Sequence, residues 1–150
     1  MRTPKYAVPD SIKCDQRKYD RWLRRKAETH VRRDRKRAKR NMPRPTVARY
    51  KQMIHSAVCE SKGDFYTGLP LEWSLISKWE NASAKRGGGE HKRTFARLPT
   101  VDHTVDEQGN LRFVICASYV NAAKGDLTVV EFYQFCESVL DHRKRNAESE

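Results

Sequence analysis

Between Leu98 and Asp126 the hydrophobic pattern changes period twice. Val101-Asp102-His103-Thr104 closes a first strand, and Asp106-Glu107-Gln108-Gly109 makes a tight turn in which Gly109 accepts a positive φ. Leu111-Arg112-Phe113-Val114-Ile115-Cys116 is a β-branched and aromatic run, and so a second strand. A short helix follows, capped by Ser118, carrying Asn121 and Lys124 and closed by Gly125. On either side the period is helical. Residues 15–40 read as one long helix with Asp15 at its start and Tyr19, Trp22, Leu23, Ala27 and Val31 at helical spacing. Beyond Val31 that helix is nearly all charge, so it is expected in solvent or on phosphate. Thr46 caps a second helix running to about Ser61, with Val47, Tyr50, Met53, Ile54, Ala57 and Val58 on one stripe. Thr128 caps a last helix, Glu131 completes a capping box, and Val130, Phe132, Tyr133, Phe135, Cys136, Val139 and Leu140 predict a packed face ending near His142.

The remaining segments are less regular. Residues 1–13, with Pro4 and Pro9, read as a loose tail, and Asn41 to Pro45 breaks the long helix. Residues 64–71 read as a short strand and turn, with Phe65, Tyr66, Leu69 and Leu71 beneath the hairpin. A direct catalytic role for Tyr66 is the lesser alternative. Glu72 to Lys85 reads as a short helix anchored by Trp73, Leu75, Ile76 and Trp79. The stretch from Lys85 to Arg93 holds Gly87-Gly88-Gly89 and reads as a flexible basic loop, from which Lys85, Arg86, Lys92 and Arg93 touch the substrate backbone. It lacks the G-x-x-x-x-G-K-[ST] pattern of a phosphate-binding loop. The fold class expected is α+β: a hairpin-helix core flanked by helices, with a long basic N-terminal helical arm. Residues 1–45 form the arm and linker, 46–142 the domain, and 143–150 a polar tail.

Charge sharpens this picture. The 150-residue chain carries +12, of which residues 17–40 account for +10, with thirteen Lys and Arg against Asp20, Glu28 and Asp34. So localised a charge points to a polyanion, nucleic acid first. Arg21, Arg24, Arg25, Arg32, Arg33, Lys36 and Arg37 are the candidate phosphate contacts, and they supply affinity rather than sequence choice. A solvated helix laced by Asp20–Arg24 and Glu28–Arg32 pairs is the alternative. No apolar run reaches membrane-span length and no leader pattern is present, so a cytoplasmic protein is expected. Cys14, Cys59, Cys116 and Cys136 form no C-x-x-C pair, so no structural zinc is expected; Cys116 and Cys136 sit in apolar patterns as core residues. His55 and His91 have no partners at ligand spacing and read as boundary or surface residues.

The candidate chemistry lies in the hairpin and its helix. Phosphodiester cleavage needs a base for water, and an imidazole, here His103, is the side chain suited to that task. Asp102 and Asn121 offer hard oxygen donors for an ion such as Mg²⁺. Adjacent strand residues point to opposite faces, so Asp102 and His103 must reach a phosphate from different sides. Lys124, one turn from Asn121, is placed to contact a phosphate. Asn121 as a helix-surface residue and Asn110 as a turn residue stay open as alternatives.

Tyr66-Thr67-Gly68-Leu69-Pro70-Leu71, Asp102-His103, Asn110 and Asn121-Ala122-Ala123-Lys124 together resemble the HNH endonucleases, the ββα-metal or His-Me finger family, over about Cys59 to Leu140. The resemblance implies a metal-dependent endonuclease that hydrolyses phosphodiester bonds of DNA. It implies His103 as general base, Asn110 orienting it across the turn, and Asp102 with Asn121 holding one divalent metal, Mg²⁺ first. The competing reading is a non-catalytic DNA- or RNA-binding protein on the same scaffold, with the basic arm doing the binding. A basic ribosome- or RNA-associated protein is the third.

Overall fold

The computed structural model describes residues 4–38, 43–78 and 81–149, with the backbone alone for 81–85. Among the described residues five helices and one two-stranded antiparallel sheet make an α+β fold: α1 (Gln16–Arg37), α2 (Val47–Glu60), α3 (Asn81–Thr94), β1 (Pro99–Val105), β2 (Leu111–Ala117), α4 (Ser118–Lys124) and α5 (Val129–Ala147). A single 3-10 turn at Trp73–Leu75 lies between α2 and α3. No helix among the described residues is long and apolar enough to cross a membrane.

Three helix starts follow from local chemistry. Asp15 accepts from the Lys18 amide, Thr46 from the Arg49 amide, and Thr128 with Glu131 closes a full capping box. The fourth expected cap differs: Ala117 holds the N-cap position of α4 and Ser118 is its first helical residue. In the hairpin, Asp102 pairs with Val114 and His103 with Phe113. The Asp106 carboxylate accepts from the amides of Gln108 and Asn110, and Gly109 takes a φ of 81° to close the turn.

One face of the sheet carries the main core. Val101, Phe113 and Ile115 pack with Tyr19, Trp22, Leu23, Ala27 and Val31 of α1 and Tyr50, Ile54 and Val58 of α2. Residues up to 34 of the basic segment therefore belong to the same packed unit as residues 46–142, not to an arm beside it. The N-terminal segment joins them: Tyr6, Val8 and Ile12 pack on this core rather than trailing as a tail. A smaller cluster of Ala117, Val120 and Phe132, with Tyr66, Leu71 and Cys136 around it, covers the other side. Cys116 is fully buried, as a core residue should be.

Four further expectations are corrected. Residues 64–71 form turns and no strand; Asp64, which the hydrophobic pattern passes over, organises them. Its buried carboxylate accepts from Tyr66 N, Thr67 N and Thr67 Oγ1, and reaches across to Ala117 N. Residues Arg86 to Arg93 are helical within α3, and its glycines shape a kink. Gly88 has φ 51° and ψ −129°, and a Cβ on Gly87 would meet the His91 Cβ at 2.5 Å. The apolar face of α5 is not packed: Phe132 is buried, whereas Val130, Tyr133, Phe135, Val139 and Leu140 are exposed. The cluster beneath α5 is too small to cover the rest. Finally, α5 continues to Ala147, past the expected end at His142. Trp79 and the helix break at Asn41-Met42 lie outside the described residues, as do the side chain of Lys85 and residues Lys39 and Arg40.

Candidate active site

The site is built where α1 runs alongside β1. Trp22 Nε1 donates to the Pro99 carbonyl at 3.3 Å, Lys26 Nζ to Thr100 Oγ1 at 2.8 Å, and Asp34 Oδ1 lies 3.2 Å from His103 Nδ1. Residues 22, 26, 30 and 34 are one i,i+4 stripe, so a single face of the basic helix follows the strand. His30 sits on that stripe at 4% exposure, its ring edge-on to both His103 and Phe113. Burial, with Arg33 and His103 adding, pushes its pKa down to about 4, which keeps it neutral.

Two adjoining cavities flank this stripe. The first, about 510 Å³, is lined by Arg25, Lys26, His30, Arg33 and Arg37 of α1 and by Asp102, Asn121 and Asp126 opposite. The second, about 530 Å³, is lined by Arg33, Arg37, Asp102, His103, Lys124 and Asp126 among others. Arg33, Arg37, Asp102 and Asp126 belong to both, so Asp102 stands where the two meet. The pKa of Lys26 falls to about 8 through desolvation first and Arg25 second.

Strand alternation separates Asp102 from His103 as the pleat requires. Asp102 turns to the side of α4, where its Oδ2 accepts from Tyr66 Oη at 2.5 Å and lies 3.2 Å from Lys124 Nζ. Burial and the Asp102 carboxylate together push the Tyr66 phenol well above its ordinary range, so it stays a donor. His103 turns to the other side, against Phe113 and Asp34. Tyr50 Oη donates to the second oxygen of Asp34 at 2.6 Å.

The structure thus brings Arg25, Arg33, Arg37, Asp102 and Asn121 to the first cavity and Arg33, Arg37, Asp102, His103 and Lys124 to the second, so His103 and Asn121 line different cavities. It brings Asn110 to neither. Asn110 is exposed at the tip of the hairpin, and its Nδ2 donates to Asp106 Oδ2 at 3.2 Å. In place of the expected bond from Asn110, His103 has the Asp34 carboxylate at 3.2 Å from its Nδ1. Lys124 also differs from expectation: it is buried on Asp102 rather than free on the helix face. Arg21, Arg24, Arg32 and Lys36 are exposed and line neither cavity, and Arg24 is paired with Glu28 at 2.8 Å. The residues missed were Lys26, His30, Asp34, Tyr50 and Asp126. The helical spacing of 26, 30, 33 and 37 was the available signal for the α1 set.

Comparisons with protein-family models, with curated proteins and with solved structures return no match.

Proposed function

We propose that this protein is a metal-assisted endonuclease of the HNH type, hydrolysing phosphodiester bonds of DNA in the groove between α1, β1 and α4. The observation that carries the reading is the junction at Asp102. There a cavity walled by Arg25, Lys26, Arg33 and Arg37 meets one that holds His103, with Asn121 and Asp126 on the facing wall. Cations along one wall suit a phosphate backbone, and oxygen donors in one cavity beside an imidazole in the next suit its hydrolysis. The succession of hairpin and short helix supports the family resemblance.

Asp102 and Asn121 are hard oxygen donors on one cavity wall, which fits a hard divalent ion such as Mg²⁺. Among the described residues no group of three or more His, Cys, Asp or Glu side chains is placed to hold an ion. The two ligands would therefore need substrate phosphate and water to complete a shell. When bound, the ion would stabilise negative charge on the phosphate and the leaving oxygen. The chain's own groups do the rest. Arg33 and Arg37 hold the flanking phosphates, Lys124 and Tyr66 fix Asp102, and His103 takes the proton of the attacking water through its ring nitrogen.

A binding-only protein is the second reading, and one observation favours it: Asp102 Oδ2 is already engaged by Lys124 and Tyr66. Plasmid nicking with Mg²⁺ or Mn²⁺ separates the two. The endonuclease reading expects nicking by the wild type and a loss of about 10²- to 10⁴-fold in His103→Ala, the range for a general base. Binding without nicking under every metal would support the second reading, and equal nicking by both proteins would remove His103 from the mechanism.

A further inference from the structure

We propose that Asp34, held by Tyr50, is the positioning residue for His103, setting which ring nitrogen carries the proton. The inference rests on the reading of His103 as the base, and the geometry supplies its three parts.

The first is the contact itself. Asp34 Oδ1 lies 3.2 Å from His103 Nδ1. An ionised carboxylate only accepts, so the proton of a neutral imidazole sits on Nδ1 and the lone pair on Nε2. The second is the way Asp34 is fixed. Its other oxygen accepts from Tyr50 Oη at 2.6 Å, and Tyr50 is itself 4% exposed with its ring edge-on to Phe113. The acid is thus clamped between α1 and α2 rather than solvated. The third is the ring's packing. Phe113 lies 5.3 Å and His30 6.0 Å from the His103 ring centroid, which limits rotation about the side-chain bonds.

Sequence context agrees. Asp34 is the lone acid among Arg32, Arg33, Arg35, Lys36 and Arg37. A carboxylate there weakens a phosphate-binding face, and its contact with His103 gives it a reason to be present. Asn110, bound to Asp106 at the hairpin tip, leaves the orienting role to another residue. In the step this serves, water gives its proton to Nε2 and its electron pair to phosphorus. The bond from phosphorus to the 3′ oxygen breaks, that oxygen keeps the pair and is protonated by solvent, and Asp34 balances the transient imidazolium.

The test joins a spectroscopic measurement to kinetics on the full chain. ¹⁵N NMR of the imidazoles should show His103 as the Nδ1–H tautomer in the wild type and as predominantly Nε2–H in Asp34→Ala. The same variant should lower kcat about 10²-fold or more, with KM unchanged or lower, since the phosphate-binding face loses a carboxylate and no cation. Tyr50→Phe should lower kcat by a smaller factor. Should Asp34→Ala fail to fold, Asp34→Asn decides: it removes the charge and can present an amide NH₂ to Nδ1 in place of an oxygen, so kcat falls about tenfold or more. An unchanged tautomer in Asp34→Ala, a wild-type kcat in Asp34→Asn, or a loss appearing only in KM would overturn the proposal. The NMR arm needs no turnover, so a failure of the nuclease reading, seen as His103→Ala nicking like wild type, is separable from a failure of this one.

Discussion

Lys124 Nζ lies 3.2 Å from Asp102 Oδ2, and the two side chains are only 5% and 10% exposed. A buried ion pair of this kind contributes little net stability over an apolar pair, but removing one partner strands the other's charge. Lys124→Met should therefore destabilise the fold by about 3–5 kcal/mol in urea unfolding. Adding Asp102→Asn to it should recover part of that loss. A double variant no more stable than Lys124→Met would mean that the pair does not act as a unit.

Asp64 ties the turn before the 3-10 segment to the end of β2. Its carboxylate accepts from two amides of its own turn and from Ala117 N, and it is 3% exposed. Hydrogen bonds to a charged group are worth about 1.5–3 kcal/mol each, and orphaned donors add to the cost. Asp64→Ala should cost at least about 3 kcal/mol in urea unfolding, with the effect reaching Tyr66 and so Asp102. A loss under about 1 kcal/mol would show that solvent replaces those bonds without penalty.

The cations of α1 fall into two sets with different consequences. Arg33 and Arg37 line both cavities, whereas Arg24 and Arg32 line neither. Replacing Arg33 and Arg37 by Ala should reduce the slope of log K against log salt for duplex DNA by roughly 2, counting about one released counterion per contact. The same change at Arg24 and Arg32 should alter it by less than about half as much. Equal effects would assign DNA binding to the helix as a charged rod with no preferred face.

His30 should leave a mark on acid stability. Its folded pKa of about 4 lies below the ordinary 6.5, so as pH falls through 6.5 the unfolded chain takes up a proton that the folded one refuses. The stability present above pH 6.5 is lost as the pH falls, until the folded form also titrates near 4. At about 1.4 kcal/mol per unit, the loss amounts to a few kcal/mol. Denaturant midpoints for wild type and His30→Leu should diverge over that window, with the wild type losing more. Parallel curves would show that His30 gains a proton in the folded state as readily as outside it.

What the sequence made legible was local. The caps at Asp15, Thr46 and Thr128, the Asp106–Gly109 turn and the two strands depend on neighbours within a few residues, and each stands as read. The glycines of α3 misled because three of them carry a helix penalty near 1 kcal/mol apiece, while the structure uses Gly87 and Gly88 to kink the helix. The site was half legible. Asp102, His103 and Asn121 belong to the hairpin and its helix, and a motif can name them. Asp34 reaches His103 from 69 residues away, and Lys26 reaches Thr100 from 74. In one dimension Asp34 is a minor acid in a basic run, and only the docking of α1 along β1 gives it a partner. Asn110 shows the converse: motif spacing suggested a bond across the hairpin, and the nearer Asp106 carboxylate took its amide. The apolar pattern of α5 was real, but periodicity does not say whether anything lies opposite it.

The account depends on hydrolysis at the junction where Asp102 stands. The most direct test is the single-turnover rate of duplex cleavage with Mg²⁺ for wild type and Asp102→Asn, at protein concentrations that saturate binding. A loss of about a hundredfold or more with DNA affinity retained is the expected result. Wild-type cleavage by Asp102→Asn, with the protein folded and bound, would contradict it.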